Sequence, residues 1–132
     1  MNIFVSSQNI DEPHTDALIK GLQASGFKVN HSPRNPIHGY DFRWANWYET
    51  GLQVSLATTN IFIIAVDVGW DSSTWMAIEA DLAFRLLGNG NIEQLYYYNP
   101  LHIRVKAKGA LPYLNKQLPD SLNDTIGLLS KL

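Results

Sequence analysis

The residues of this chain that are best placed to do chemistry lie in the segment from Trp70 to Glu79. The segment follows an apolar run at 61–66, and its polar residues at 71–74 are typical of a turn that leads into a helix. One carboxylate, that of Glu79, stands just inside the predicted helix. In α/β proteins, ligands bind in the crevice beyond the carboxyl ends of parallel strands, which is where such a junction lies. Glu79 is therefore a candidate for catalysis.

The position of Glu79 in this helix excludes one ordinary structural role. A capping-box glutamate stands at the third helical position, whereas Glu79 lies in the second turn after the candidate caps Ser72 and Ser73. The residues alone leave open that Glu79 is a solvated carboxylate on the helix surface. Trp75 precedes it by one turn on the same face, where its ring is suited to a core contact or to stacking on a nucleobase.

The elements around this segment alternate between strand and helix patterns. The patterns predict strands at 2–5, 27–31, 61–66, 94–98 and 110–114, an edge strand or extended loop at 101–107, and helices at 12–25, 44–56, 74–87 and 121–132. The run at 61–66 is typical of a strand buried on both faces and predicts the centre of the sheet. The order predicts one doubly wound α/β domain over 1–132, flavodoxin-like, with a four- or five-stranded parallel sheet flanked by helices.

Two helices have apolar faces that can be read from the spacing of their residues. The helix after the central strand presents Ile78, Leu82 and Leu86, and the last helix presents Leu122, Ile126, Leu129 and Leu132. Both faces are expected to pack against the sheet.

Composition excludes several classes of protein. The 132 residues include ten Lys plus Arg and twelve Asp plus Glu, and the net charge of −2 argues against a nucleic-acid partner. The chain has no cysteine, so thiolate metal sites and disulfides are excluded. It begins with a strand pattern instead of a signal peptide, and no apolar run reaches membrane-spanning length. We expect a cytoplasmic protein without a membrane partner.

Three polar segments directly follow predicted strands and should meet at one edge of the sheet. They are residues 6–11, 32–40 and 67–74. Loops at this edge of a parallel sheet commonly surround a ligand. The histidines show no metal-ligand spacing, so we expect no metal site. Glycine-rich phosphate loops are also missing after the strands.

The chain resembles the TIR (Toll/interleukin-1 receptor) domain family over roughly residues 2–100. The first strand ends in Phe4-Val5-Ser6-Ser7, similar to the Phe-Ile-Ser segment of the family, and a long loop closes at Gly39. The buried strand leads to an aromatic-x-x-Ser-x-Trp-x-x-x-Glu block, here formed by Trp70, Ser73, Trp75 and Glu79. The chain departs from the family at Ser7, where an aromatic is common, and at Met76, where a cysteine is usual.

The resemblance implies an NAD-consuming enzyme. In enzymatic TIR domains the glutamate of this block is catalytic, and the nicotinamide N-glycosidic bond of NAD is cleaved, with release, cyclisation or transfer of ADP-ribose. NAD is then a substrate, and no cofactor is implied. Glu79 takes the catalytic role, and the residues implied to bind the substrate are Ser6, Ser7, Arg34, Tyr40, Asp71, Ser73 and Trp75.

The family also implies partners and a biological role. TIR enzymes commonly act as self-associated assemblies, and small bacterial members produce a nucleotide signal for a separately encoded effector in defence against phage.

Two alternatives remain open. The turn Asp71-Ser72-Ser73-Thr74 is similar to that of nucleoside 2-deoxyribosyltransferases, although their glutamate follows the threonine more closely. The other alternative is a TIR module that only binds partners.

Overall fold

The computed structural model describes residues 1–31, 51–68, 70, 74–87, 90–104 and 116–132. In chain order the elements are β1 (Asn2–Ser6), α1 (Pro13–Ala24), β2 (Lys28–His31), α2 (Leu52–Ala57), β3 (Ile61–Ala65), α3 (Thr74–Leu86), β4 (Gln94–Tyr98), β5 (Lys116–Gln117) and α4 (Leu122–Leu129). The five strands form one sheet in the order β2-β1-β3-β4-β5. Every neighbouring pair is parallel, which confirms the predicted α/β class.

Strand β3 lies at the centre of this sheet, as the apolar run predicted. All five of its residues are buried, and it pairs with β1 on one side and β4 on the other. Phe62 of β3 stacks on Phe4 of β1, with ring centroids 5.6 Å apart. The strand order reverses between β1 and β3, because the chain moves outward from β1 to β2 and then returns to β3. This is the switch point at which open parallel sheets bind ligands.

The two faces of the sheet are covered by different helices. Helices α1 and α4 pack with the odd-numbered side chains of β1 and β3, represented by Ile3 and Ile63. Helices α2 and α3 pack with the even-numbered side chains, represented by Phe4 and Ile64. Ser6 continues the even-numbered face of β1 and therefore lies on the side of α3.

The face that α3 turns toward the sheet differs from the predicted one. Its buried side chains are Met76, Glu79, Ala80 and Ala83, whereas Ile78, Leu82 and Leu86 are only partly buried. The two alanines allow the helix to approach the sheet closely, and the bulky residues fill its flanks. Because alanine is only weakly apolar, the sequence pattern predicted the flank of the helix with its larger apolar residues as the buried face, instead of the face that contacts the sheet.

The ends of α1 follow from local side-chain chemistry. Glu12 caps the helix by accepting a hydrogen bond of 3.0 Å from the backbone N–H of His14, and Pro13 occupies the first turn. After the helix, Gly26 adopts a φ of +94°, which side-chain-bearing residues rarely take.

The last helix, α4, begins as predicted and ends early. Ser121 caps it by accepting from the N–H of Asp124 at 3.3 Å. The helix ends at Leu129. Leu132 is 51% exposed, so its predicted place in the apolar face was wrong.

Residues 101–104 form no strand, which favours the loop alternative for that segment. The strand predicted at 110–114 and the loop and helix start at 32–50 lie outside the described residues. Within the described part of the chain, no helix is long and apolar enough to cross a membrane.

Candidate functional site

Glu79 lies beside the carboxyl end of β1. The hydroxyl of Ser6, the last residue of β1, donates a hydrogen bond of 2.9 Å to Oε1 of Glu79 in the second turn of α3. Ser6 is completely buried and Glu79 is 2% exposed. The alternative of a solvated surface carboxylate was therefore wrong.

Burial dominates the electrostatics of this carboxyl group. Loss of water raises the pKa of Glu79 to about 8, and the hydrogen bond from Ser6 opposes part of the rise. No charged side chain among the described residues contributes to this shift. The carboxyl is therefore mostly protonated at pH 7.

Three buried polar atoms around this edge have no hydrogen-bond partner within the described ranges. They are Oε2 of Glu79, Oγ of Ser7 and Nε1 of Trp70. Ser7 follows Ser6 directly, and the Trp70 ring packs edge-on against Tyr97, with centroids 6.0 Å apart. Buried polar groups are normally paired. Unpaired atoms of this kind are what a ligand with hydroxyl or amide groups would satisfy.

A second polar cluster occupies the other face of the same sheet edge. Nε2 of His14, in the first turn of α1, donates to the backbone carbonyl of Val66 at 2.9 Å. Its Nδ1 contacts the carboxylate of Glu12. The imidazole lies 6.2 Å from the ring of Tyr98, measured between centroids. His14 thus connects the start of α1 to the residue that follows β3.

Asp67 follows Val66 and belongs to the same region. It is buried, and loss of water raises its pKa, while the nearby His14 lowers it and Glu12 raises it further. The switch point therefore has a neutral buried carboxyl on the side of α3 and a carboxylate–imidazole cluster on the side of α1.

The loop after β4 is closed by one side chain. Asn99 donates from Nδ2 to the carbonyl of Ile103 at 2.7 Å and accepts from the N–H of Ile103 at 3.0 Å. Between them, His102 adopts a φ of 56° and contacts Asp120 at 2.7 Å. This connection holds the end of β4 near the start of α4.

The structure brings together part of the predicted site. Ser6 and Glu79 are in contact, and Ser7 is the next residue after Ser6 in the chain. Trp75 is in the first turn of α3, with its side chain outside the described part of the structure. The predicted residues Arg34, Tyr40, Asp71 and Ser73 lie outside the described residues.

Sequence reasoning missed His14, because the histidines were tested only for metal-ligand spacing. The available signal was the Glu-Pro-His order at a helix start, which places an imidazole two residues beyond a capping carboxylate. Among the described residues, no group of three or more His, Asp or Glu side chains could hold a metal ion.

Comparison with known proteins finds a similarity in fold but none in sequence. No protein-family model matches it, and no curated protein matches it in sequence. Among solved structures it is similar to the TIR domains in the structure of the activated Roq1 resistosome directly recognizing the pathogen effector XopQ. The TM-score is 0.53 at 13% sequence identity, and the match covers 76% of this chain and 60% of that chain. The likeness shows that this chain has an α/β fold similar to that of a TIR domain.

Proposed function

We propose that this chain is a TIR-type enzyme that cleaves the bond between nicotinamide and ribose in NAD, with Glu79 as the catalytic carboxylate. The observation that carries the proposal is the placement of Glu79. Its side chain is buried at the edge of the sheet where the parallel strands have their C-terminal ends, and Oε2 has no partner among the described residues. Buried carboxyls with strongly shifted pKa values in such places are candidates for catalysis.

The chemistry needs little more than one carboxylate. The bond that breaks joins C1′ of the ribose to the ring nitrogen of nicotinamide, and its electron pair leaves with the nitrogen. Because the nicotinamide ring is cationic in NAD, it departs as a neutral molecule and requires no general acid. The ribosyl centre becomes oxocarbenium-like, and a carboxylate stabilises it by its charge or by a transient ester. Water or another acceptor then forms the new bond to C1′ and releases its proton.

Glu79 must lose its proton before it can act as a carboxylate, and NAD binding favours this loss. In the free protein the buried carboxyl is mostly neutral at pH 7, since its pKa lies at about 8. A cationic pyridinium nearby favours the ionised form, so NAD binding releases the proton of Glu79. We therefore expect kcat/KM to rise with pH up to about pH 8 and then to level off.

The remaining parts of the proposal concern substrate contacts and assembly. Ser7, Arg34, Tyr40, Asp71, Ser73 and Trp75 are proposed to surround the nucleotide. Because the TIR domains of the structural neighbour belong to a resistosome, we propose that this chain also self-associates. The ADP-ribose product is proposed to act as a signal in bacterial antiphage defence, with a separately encoded effector as its receiver in the cytoplasm.

The test is incubation of the purified protein with NAD, followed by chromatography of the products. Wild type is expected to form nicotinamide together with ADP-ribose, a cyclic product or a transfer product. Glu79→Gln is expected to abolish this without loss of fold, because the amide cannot carry the negative charge. Glu93→Gln is the matched control, since Glu93 is exposed and precedes β4, at the opposite edge of the sheet.

The same preparation separates the alternatives. Nicotinamide release that persists in Glu79→Gln would contradict the role of Glu79. Exchange of the base in a deoxynucleoside would instead support a nucleoside 2-deoxyribosyltransferase. If neither substrate is changed under crowded conditions or with a partner, the result would favour the binding module.

A further inference from the structure

The hydrogen bond between Ser6 and Glu79 joins two elements that are far apart in the chain. The residues are separated by 73 positions, and both are buried. Ser6 ends β1, whose hydrogen bonds to β2 and β3 hold it on both sides. Glu79 is carried by α3, which packs on β1 and β3 through Ala80 and Ala83. The hydroxyl is thus presented from a rigid strand.

This bond makes the two oxygens of the carboxyl unequal. Oε1 accepts from Ser6, whereas Oε2 has no partner in the described part of the chain. Rotation of a carboxyl about its last bond has only broad preferences, so a single fixed donor decides which oxygen points where. In the neutral form, donation from Ser6 to Oε1 favours the proton on Oε2, because the carbonyl oxygen of a carboxyl group is the better acceptor.

We propose that Ser6 is a positioning residue, which holds Oε1 of Glu79 and so leaves Oε2 as the oxygen that loses its proton and faces the ribosyl centre. The inference rests on the proposed function for the identity of that centre. It changes the role of Ser6 from a direct contact with the substrate to an action through Glu79. The orientation itself can be measured without any substrate.

Replacement of Ser6 by alanine removes the donor and leaves a smaller side chain. The hydrogen bond favours the ionised carboxylate, so its loss should make Glu79 harder to ionise. We expect the titration midpoint of Glu79 to rise by about 0.7 of a pH unit, the effect of one ordinary net hydrogen bond. A serine that only contacted substrate would leave this midpoint unchanged.

The experiment is ¹³C NMR titration of protein labelled at the glutamate carboxyl carbons, with the Glu79 resonance assigned by its loss in Glu79→Gln. Ser6→Ala is expected to raise the midpoint, and Ser6→Thr, which retains the hydroxyl, to return it toward wild type. In NAD cleavage, Ser6→Ala should lower kcat about tenfold with KM little changed, and shift the pH profile by the same amount as the NMR midpoint.

Thr125→Val is the matched control for loss of a buried hydroxyl. Thr125 is buried on α4, and its Oγ1 donates to the carbonyl of Pro119 at 2.8 Å. The change should lower the free energy of unfolding and leave the Glu79 midpoint in place. If Ser6→Ala does not fold, Ser6→Cys, with a similar volume and a weaker donor, should give a smaller rise.

An unchanged Glu79 midpoint in a folded Ser6 variant would overturn the proposal, whatever happens to NAD. A raised KM with an unchanged pH profile would also overturn it, in favour of direct substrate contact. A shifted midpoint in a chain that leaves NAD intact would support the positioning of Glu79 by Ser6 and would contradict the proposed glycosidic chemistry alone.

Discussion

The burial of Glu79 should make this protein less stable as the pH rises. In the unfolded chain the carboxyl ionises near its ordinary value of 4.5, whereas the pKa in the folded protein is about 8. Between these values the folded state binds more protons than the unfolded state, so the free energy of unfolding falls with increasing pH. Below pH 4.5 both states are protonated and the effect vanishes.

The size of the effect follows from the width of this window. Each pH unit corresponds to about 1.4 kcal/mol, so the loss from Glu79 reaches about 3 kcal/mol at pH 7 and about 5 kcal/mol at pH 9. This is a large part of the total stability of an ordinary domain, which is roughly 5–15 kcal/mol. Glu79→Gln removes the titrating group and should abolish the corresponding pH dependence.

The assay is urea unfolding, followed by tryptophan fluorescence, of wild type, Glu79→Gln and Glu93→Gln between pH 5 and pH 9. Other groups with raised pKa values, including Asp67, cancel in the difference between wild type and Glu79→Gln. That difference should change by about 4 kcal/mol between pH 5 and pH 9, with the glutamine variant the more stable at high pH.

Glu93→Gln should follow wild type throughout, because Glu93 is exposed in the folded protein. Parallel curves for wild type and Glu79→Gln would refute the reasoning, since they would mean that Glu79 ionises as readily in the folded protein as in the unfolded chain.

Three further predictions concern the elements that frame the site. His14→Ala removes the hydrogen bond to the Val66 carbonyl and should lower the free energy of unfolding by about 1–3 kcal/mol, measured by urea unfolding at pH 7. Asn99→Ala opens the loop to Ile103 and should raise amide hydrogen exchange at residues 101–103, with exchange at β3 unchanged. Gly26→Ala should lower the melting temperature through backbone strain alone, at about 1 kcal/mol, because a Cβ there would meet no atom within 4 Å.

The sheet could be predicted from the sequence because the residue patterns that indicate its strands are local. A continuous apolar run marks β3 as a strand buried on both faces, and the strand and helix patterns alternate in chain order. The short β5 was not predicted at its place, because Lys116 and Gln117 are exposed and carry no apolar pattern. Its two residues pair with β4 through backbone groups, and the Lys116 ammonium also donates to the side-chain oxygen of Gln94 in β4 at 2.6 Å.

Only part of the candidate site could be predicted from the sequence. The spacing of the segment from Trp70 to Glu79 drew attention to the correct carboxylate, and helix periodicity placed it in the second turn of α3. Its burial was not predicted, because the face that α3 buries is defined by Ala80 and Ala83. The bond to Ser6 crosses 73 residues of chain, and no local pattern encodes a contact of that range.

Ala80 and Ala83 have a consequence for how this site could change without any change in its polar residues. They are buried in the same core as Phe4 of β1 and Phe62 of β3, so their small size helps to set the distance between α3 and the sheet, and therefore the gap between β1 and the Glu79 backbone. A single added methyl group on either alanine would move the helix away from the sheet and increase the distance between the Glu79 carboxyl and Ser6. The position of the Glu79 carboxyl thus depends partly on two of the least reactive side chains near it.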